Sequence, residues 1–269
     1  MAPAASFVDE HLLRIGTIEL HRACPLGDVP PGRLAVEKPR ELVDRYIDLC
    51  ATFEPTRIVE LGINRGGSTA MISALARPEK LVAVELSGTP VALLDAYIRE
   101  GGLSEVVRPY YGVDQVDRIR LAEIMAAEFG DEAIDLVVDD ASHFYEETLA
   151  SFEALFPLLR ADGLFVIEDW NWQHRIGDGM ARALLEDSAA SERLRAGIEA
   201  RIERESPQVP LSRLVVELLL ARTSADDVVR ELVIGPYWAV VRRGAASLDP
   251  NTFRVADLYN DHFGMVSTS

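Results

Sequence analysis

Three things are scarce in these 269 residues: cysteine, positive charge and long apolar runs. Two cysteines, Cys24 and Cys50, could pair but cannot make a disulfide framework, so reduced thiols in a cytoplasmic protein are expected. Lys and Arg number 27 against 44 Asp and Glu, a net charge of −17. That balance argues against a nucleic-acid partner, because phosphate binding needs cations to displace counterions. The longest apolar stretches, such as Leu218-Leu219-Leu220-Ala221, are far too short to span a bilayer. Met1–Ser6 has no basic or hydrophobic region of a secretion signal, so no membrane partner is expected. Internal repeats and low-complexity segments are absent as well. What these absences leave is small-molecule chemistry.

Hydrophobic residues make up 48% and charged residues 26%, enough apolar content to fill the core of one large α/β domain or two small ones. Residues 1–38 read as a lead-in, with an amphipathic helix over Asp9–Ile18 and a loop at Pro25–Pro31. From Pro39, Leu42, Val43, Tyr46, Ile47 and Leu49 have helical spacing. Strands are then expected at Arg57–Leu61, Leu81–Glu85, Val107–Tyr111, Ile134–Val138 and Leu164–Ile167. Helices alternate with them at Ser68–Ala76, Val91–Glu100, Ile119–Phe129 and Tyr145–Leu159, the last stopped by Ala161-Asp162-Gly163. Such alternation implies right-handed βαβ crossovers and a doubly wound, mostly parallel sheet. Val228–Ile234 and Tyr237–Arg243 flank Gly235-Pro236 and suggest an antiparallel hairpin at 226–244. Between 171 and 225 lies a helical insertion (Met180–Glu205, then Leu211–Ala221) expected over the carboxyl edge of the sheet. The tail, 245–269, reads as a surface arm or an oligomer contact.

The loop Glu60-Leu61-Gly62-Ile63-Asn64-Arg65-Gly66-Gly67-Ser68-Thr69 joins the first strand to its helix. Its glycines permit a tight turn and close approach of a ligand. Their Gly-x-x-x-Gly-Gly spacing is neither the Gly-x-Gly-x-x-Gly of dinucleotide folds nor a phosphate-cradling loop. Glu60 would repel a pyrophosphate but suits a ligand with an ammonium group. Glu85, ending the second strand, is placed to accept from two ribose hydroxyls. A ribose, a cationic amino-acid portion and no phosphate describe S-adenosylmethionine, so Glu60, Gly62, Asn64, Gly66, Ser68, Thr69 and Glu85 are the candidate cofactor residues. Asp114, after the third strand, either accepts from the adenine amine or is an ordinary turn aspartate.

The sharpest signal is Asp139-Asp140-Ala141-Ser142-His143, with Glu168-Asp169-Trp170 ending the next strand. Ligands of an open parallel sheet gather beyond the carboxyl ends of its strands. Up to four carboxylates there repel one another unless a cation sits among them. Oxygen-rich, cysteine-free donors favour Mg²⁺, or Mn²⁺ and Ca²⁺, over zinc. Adjacent strand residues point to opposite faces, so not all four need share the crevice; some could instead cap helices. His143, near the start of the next helix, is placed to take a proton from a hydroxyl held on the metal. His174 lies on the loop after the fifth strand, within reach of a substrate. Trp170, Asn171 and Trp172 either stack on a substrate or hold their loop down.

Taken together, Glu60–Thr69 with Glu85 resembles the cofactor site of class I S-adenosylmethionine-dependent methyltransferases. Asp135–Trp170 is similar to a narrower group, the metal-dependent sugar O-methyltransferases of antibiotic biosynthesis and the related cephalosporin hydroxylase-like proteins. The resemblance covers residues 55–170, and 228–243 loosely. It implies a seven-stranded Rossmann-like methyltransferase fold in a single domain, 1–269, with 39–170 as the cofactor- and metal-binding core. It further implies Asp140, Glu168 and Asp169 as Mg²⁺ (or Mn²⁺) ligands and His143 as general base, with Asp139 left to the cofactor side or to structure. Ala141 stands where that group has glycine. Its frequent long N-terminal extension is not present in these residues, so the acceptor does not carry over. The implied partner is a small-molecule hydroxyl, most simply on a sugar, with a catechol or other hydroxyl as the alternative. Assembly into a homo-oligomer stays open. A nicotinamide dehydrogenase is disfavoured by the glycine spacing and Glu60, and a non-catalytic binding module by the full Asp140, His143, Glu168 and Asp169 set.

Overall fold

The strand–helix alternation that starts at Arg57 folds, in a computed structural model, into one twisted sheet with helices on both faces. Residues 5–23, 29–174, 179, 185–186, 192–205, 207–261 and 264 are described. The elements of the sheet are β5 (Arg57–Leu61), β6 (Lys80–Glu85), β7 (Val107–Tyr111), β8 (Ile134–Asp139), β9 (Leu159–Glu168), β10 (Val229–Ile234) and β11 (Trp238–Arg243). Their order is β10-β11-β9-β8-β5-β6-β7, with β11 antiparallel to both neighbours and the rest parallel. The seven-stranded, mostly parallel sheet with its closing hairpin is as the sequence implied.

Alternation along each strand divides the core. Ile58, Leu136, Val138 and Val166 face α1 (Arg40–Phe53), α2 (Gly67–Ala76) and α3 (Ala92–Glu100). Val59, Leu61, Val137, Phe165 and Ile167 face α4 (Arg118–Phe129) and α5 (Tyr145–Leu155). Both sets are nearly fully buried, and each such side chain contributes about 1.5–3 kcal/mol. The same alternation governs the polar residues at the strand ends, which is how the fold positions its site.

Three expectations are corrected. Asp9–Ile18 is not a helix: β2 (Leu12–Ile15) and β3 (Ile18–Arg22) form a hairpin, flanked by β1 (Ala5–Phe7) and β4 (Ala35–Val36) in a four-stranded sheet. Leu13 and Ile15 in one strand, and Leu20 and Arg22 in the other, are buried at a period of two, and Gly16 takes φ +57° in the two-residue turn. Second, α5 stops at Leu155, a 3₁₀ turn with Pro157 follows, and β9 already begins at Leu159. Ala161-Asp162-Gly163 is therefore a bulge within β9, where the register with β8 shifts and Asp162 adopts φ +64°. Third, the described part of the tail does not lie wholly on the surface: Phe253 and Val255 are buried in the α5 side of the core, Phe253 against Phe152 and Phe156.

Of the expected insertion, α6 (Glu192–Glu205) and α7 (Ser212–Ser224) are described, whereas Met180 lies outside the described residues. Leu214 and Leu218 of α7 are buried in the core on the α5 side. Cys24 and most of the Pro25–Pro31 loop lie outside the described residues; Cys50 is a buried free thiol, which burial pushes up to about 12. No described helix is long and apolar enough to cross a membrane.

Glu128 ties α4 to the sheet edge: its carboxylate accepts from Tyr110 at 2.5 Å, Arg108 at 2.9 Å and Lys80 at 2.9 Å. Burial opposes the charge, but these three donors outweigh it and hold the carboxyl near 2, against 4.5 when free. The folded value lies below the unfolded one, so the contribution is present above pH 4.5 and vanishes as pH falls toward 2. Glu128→Gln should lose about 1–2 kcal/mol at pH 7, after allowance for its partly exposed partners. Urea unfolding should show the gap from wild type closing progressively in acid.

Candidate functional site

The glycine loop is fastened to the acidic strand end by backbone alone. Asp140 N–H donates to Leu61 O at 3.0 Å, and Gly62 N–H donates to Val84 O at 2.9 Å. Gly62 takes φ +94°, and a Cβ there would stand 2.3 Å from Asp140 O, so no other residue fits. Gly66 turns the chain into α2 at φ +80°. Glu85 cinches the loop: one oxygen accepts from Ile63 N–H and Asn64 N–H at 3.0 and 2.9 Å, the other from Ser87 N–H at 2.9 Å. Ser68 and Thr69 sit buried in the first turn of α2.

Glu60 is fully buried on the α1–α2 face, and neither of its oxygens meets a donor in hydrogen-bonding geometry, although Ser68 and Thr69 lie beside it. Burial pushes its carboxyl up to about 7. An unpartnered buried carboxylate is costly, and under a ligand-sized loop it favours a cationic ligand.

On the same face stand Asp140 and Glu168, and between them lies a residue that sequence reasoning missed. Lys38 Nζ, 3% exposed, contacts Asp140 Oδ2 at 2.6 Å and both Glu168 oxygens at 2.7 Å. Tyr46 OH donates to Glu168 Oε1 as well. Burial disfavours the Lys38 charge, yet Asp140 and Glu168 outweigh it and hold the ammonium well above its ordinary range. Burial and Asp140 push the Glu168 carboxyl up, opposed by Lys38 and Tyr46. The three short contacts identify an ion-paired cluster. Lys38 is delivered by the N-terminal sheet: Ala35 abuts α2, where a Cβ on Gly67 would sit 1.9 Å from Ala35 O. Glu37 then grips Asn64 and Arg65 of the loop, each at 3.0 Å. One signal was available in the sequence: only two of the 27 basic residues are lysines.

Asp140 turns its other oxygen outward. Among the described residues, ligand atoms of Asp140, His143 and Asp169 lie within 4.8 Å of one another, and His143 Nε2 is 3.9 Å from Asp140 Oδ1. Glu168 is not in that group. His143 and Asp169 adopt left-handed backbone, φ +59° and +46°, the uncommon conformation that collects at functional sites. Burial pushes the Asp169 carboxyl up, against the pull of His143. The Trp172 ring centroid lies 5.3 Å from that of His143, with the two planes inclined at 30°. Trp170 and Asn171 hold the loop to the β10–β11 turn, donating to Gly235 O at 2.8 Å and Pro236 O at 3.2 Å.

Asp139 faces away from this cluster, as alternation requires. It is buried toward α5, accepting from Ser151 Oγ, from Gln115 Nε2 at 3.2 Å and from Ala141 N–H at 3.4 Å. Gln115 also accepts from Ser142 N–H at 3.2 Å, so Asp139 and Gln115 brace the turn that carries His143. The Asp114 carboxylate is exposed and accepts from Val116 N–H at 3.1 Å, a turn contact. His174 pairs with Ser212 at 2.8 Å, at the start of α7.

With this geometry in view, residues 59–170 match the family described as a methyltransferase domain. Within that class, the chain is 50% identical over 56 residues to the demethylmacrocin O-methyltransferase of Streptomyces fradiae, covering 21% of this chain and 13% of that protein. It is 40% identical over 74 residues to the mycinamicin VI 2''-O-methyltransferase of Micromonospora griseorubida, covering 22% and 18%. The matched segments thus span less than a fifth of these two relatives. Among solved structures, the MycE methyltransferase of the mycinamycin pathway, in complex with Mg and SAH, superposes at a TM-score of 0.50 with 21% identity, covering 76% of this chain and 48% of that one. The SAH-bound Podospora anserina methyltransferase PaMTH1 superposes at 0.51 with 14% identity, covering 77% and 79%. These superpositions establish the shared fold.

Gly62→Ala should cost on the order of 3 kcal/mol, from strained φ and the clash with Asp140 O. Gly102→Ala, also at positive φ but with nothing within 4 Å, should cost about 1 kcal/mol. Chemical denaturation of the two variants side by side checks the difference.

Proposed function

We propose that this chain is an S-adenosylmethionine-dependent, divalent-metal-dependent O-methyltransferase acting on a hydroxyl of a small natural product, in the first instance a sugar of a glycosylated secondary metabolite. The observation that carries the reading is the convergence of Asp140, His143 and Asp169 beside a glycine loop underlain by an unpartnered carboxylate. The O-methyltransferase activities of the macrolide relatives and the Mg and SAH bound to MycE support it. In this reading residues 1–269 act as one methyltransferase unit, and 171–225 shapes the acceptor pocket.

The donor chemistry fits both groups. Hard carboxylate oxygens at Asp140 and Asp169 suit Mg²⁺ or Mn²⁺; Glu60 suits the cationic end of S-adenosylmethionine. When bound, the ion supplies Lewis acidity to the acceptor hydroxyl, and the cofactor supplies the methyl group. The chain's own residues do the rest. His143, oriented by Trp172 and by the turn braced through Gln115, receives the hydroxyl proton at its imidazole. Glu85 holds the loop amides of Ile63 and Asn64 in place, so Gly62, Asn64 and Gly66 keep the cofactor's cradle open; Ser68 and Thr69 lie beneath it. Asp114 belongs to the adenine end and Asp139 to the bracing of the site. Much of the rate then comes from aligning nucleophile and methyl group.

A methylation screen with S-adenosylmethionine should give product on glycosylated acceptors, and lose it when EDTA replaces Mg²⁺. His143→Ala should lower turnover by about 10²–10⁴-fold, with SAH binding by calorimetry retained. Chelator-resistant turnover would remove the metal from the reading. Turnover on catechols or aglycones alone would move the acceptor class, and binding of NAD with silence toward S-adenosylmethionine would reject the reading altogether.

A further inference from the structure

Both oxygens of Glu168 are engaged, and Glu168 stands outside the Asp140, His143 and Asp169 group: Lys38 Nζ takes both, and Tyr46 OH shares one. The ammonium has three donors, and its three contacts are to Asp140 Oδ2 and the two Glu168 oxygens. Asp140 is consequently split, with Oδ2 on Lys38 and Oδ1 facing His143 Nε2. Glu168 is 2% exposed. Bringing it onto an ion beside Asp169 would mean giving up its buried contacts with Lys38 and leaving that ammonium on Asp140 alone.

Charge points the same way. Asp140, Glu168 and Asp169 with Lys38 carry three acidic groups and one positive, and Glu60 adds a fourth buried carboxyl nearby, so the cluster keeps an acidic excess that a cation offsets. Without Lys38, a third carboxylate would be free to join the ion and bind it more tightly.

We propose that Lys38 is a built-in counter-cation that withholds Glu168 from the metal, leaving Asp140 and Asp169 as its carboxylate ligands. This rests on the metal-dependent reading above. Lys38 is then a positioning residue supplied by the N-terminal segment: it acts through Asp140 and Glu168 and sets how many carboxylates the ion meets.

Mn²⁺ binding to the full chain without cofactor or acceptor, followed by electron paramagnetic resonance titration, tests this apart from turnover. Wild type and Glu168→Gln should bind within about threefold of one another, whereas Asp169→Asn should weaken binding at least tenfold. Lys38→Met should tighten it at least tenfold by releasing Glu168, and adding Glu168→Gln to Lys38→Met should return it to near wild type. A purely structural lysine would show no such reversal. If Lys38→Met does not fold by circular dichroism, Glu168→Gln against Asp169→Asn decides alone. Wild type that binds Mn²⁺ while Glu168→Gln loses it as Asp169→Asn does would overturn the ligand assignment but spare the metal. Wild type silent toward Mn²⁺ would sink the metal-dependent reading and this assignment with it.

Discussion

Strand alternation places Glu60, Asp140 and Glu168 on one face of three neighbouring strands, and much of the candidate site follows from that constraint. Three buried or half-buried carboxylates on one surface are electrostatically intolerable without a cation. The chain's answer within its own sequence is Lys38 between two of them. Glu60, beyond the reach of that ammonium's hydrogen bonds, keeps its desolvation cost and its appetite for a positive ligand. Asp139, one residue out of phase, escapes to the other face and is satisfied by Ser151 and Gln115.

The N-terminal sheet, which the sequence presents as a lead-in, is therefore part of the site's machinery. Ala35 against Gly67, Glu37 on Asn64 and Arg65, and Lys38 among the acids are three successive grips by one short segment on the glycine loop and the carboxylate cluster. Loop geometry and carboxylate geometry are mechanically joined through it, with Gly62 fitted under Asp140 O as the second joint.

The parallel strands were legible because buried strands appear as continuous apolar runs, and each was placed to within a residue or two except β9. Its bulge carries Ala161-Asp162-Gly163, residues that also end helices, so local chemistry could not distinguish the two. The β2–β3 hairpin was missed because Leu12, Leu13, Ile15 and Ile18 satisfy helical and strand periods over so short a span. Within the site, the residue types and their strand ends were readable. Which oxygens share a partner was not, because that depends on Lys38, 102 residues before Asp140, and on Tyr46, 122 before Glu168. Glu85 was read as a ribose acceptor from its strand end alone; its role in tying down the loop amides needed coordinates.

That separation has a temporal consequence. Lys38 leaves the ribosome 102 residues before Asp140 and 130 before Glu168. During synthesis the lysine, α1 and the glycine loop are complete long before β8 and β9 exist to meet them, and contacts so remote in sequence form slowly even in a released chain. The Lys38–Glu168 pair is thus completed only once β9 is made, and a nascent chain stalled before residue 168 would hold the glycine loop with no Glu168 beside it.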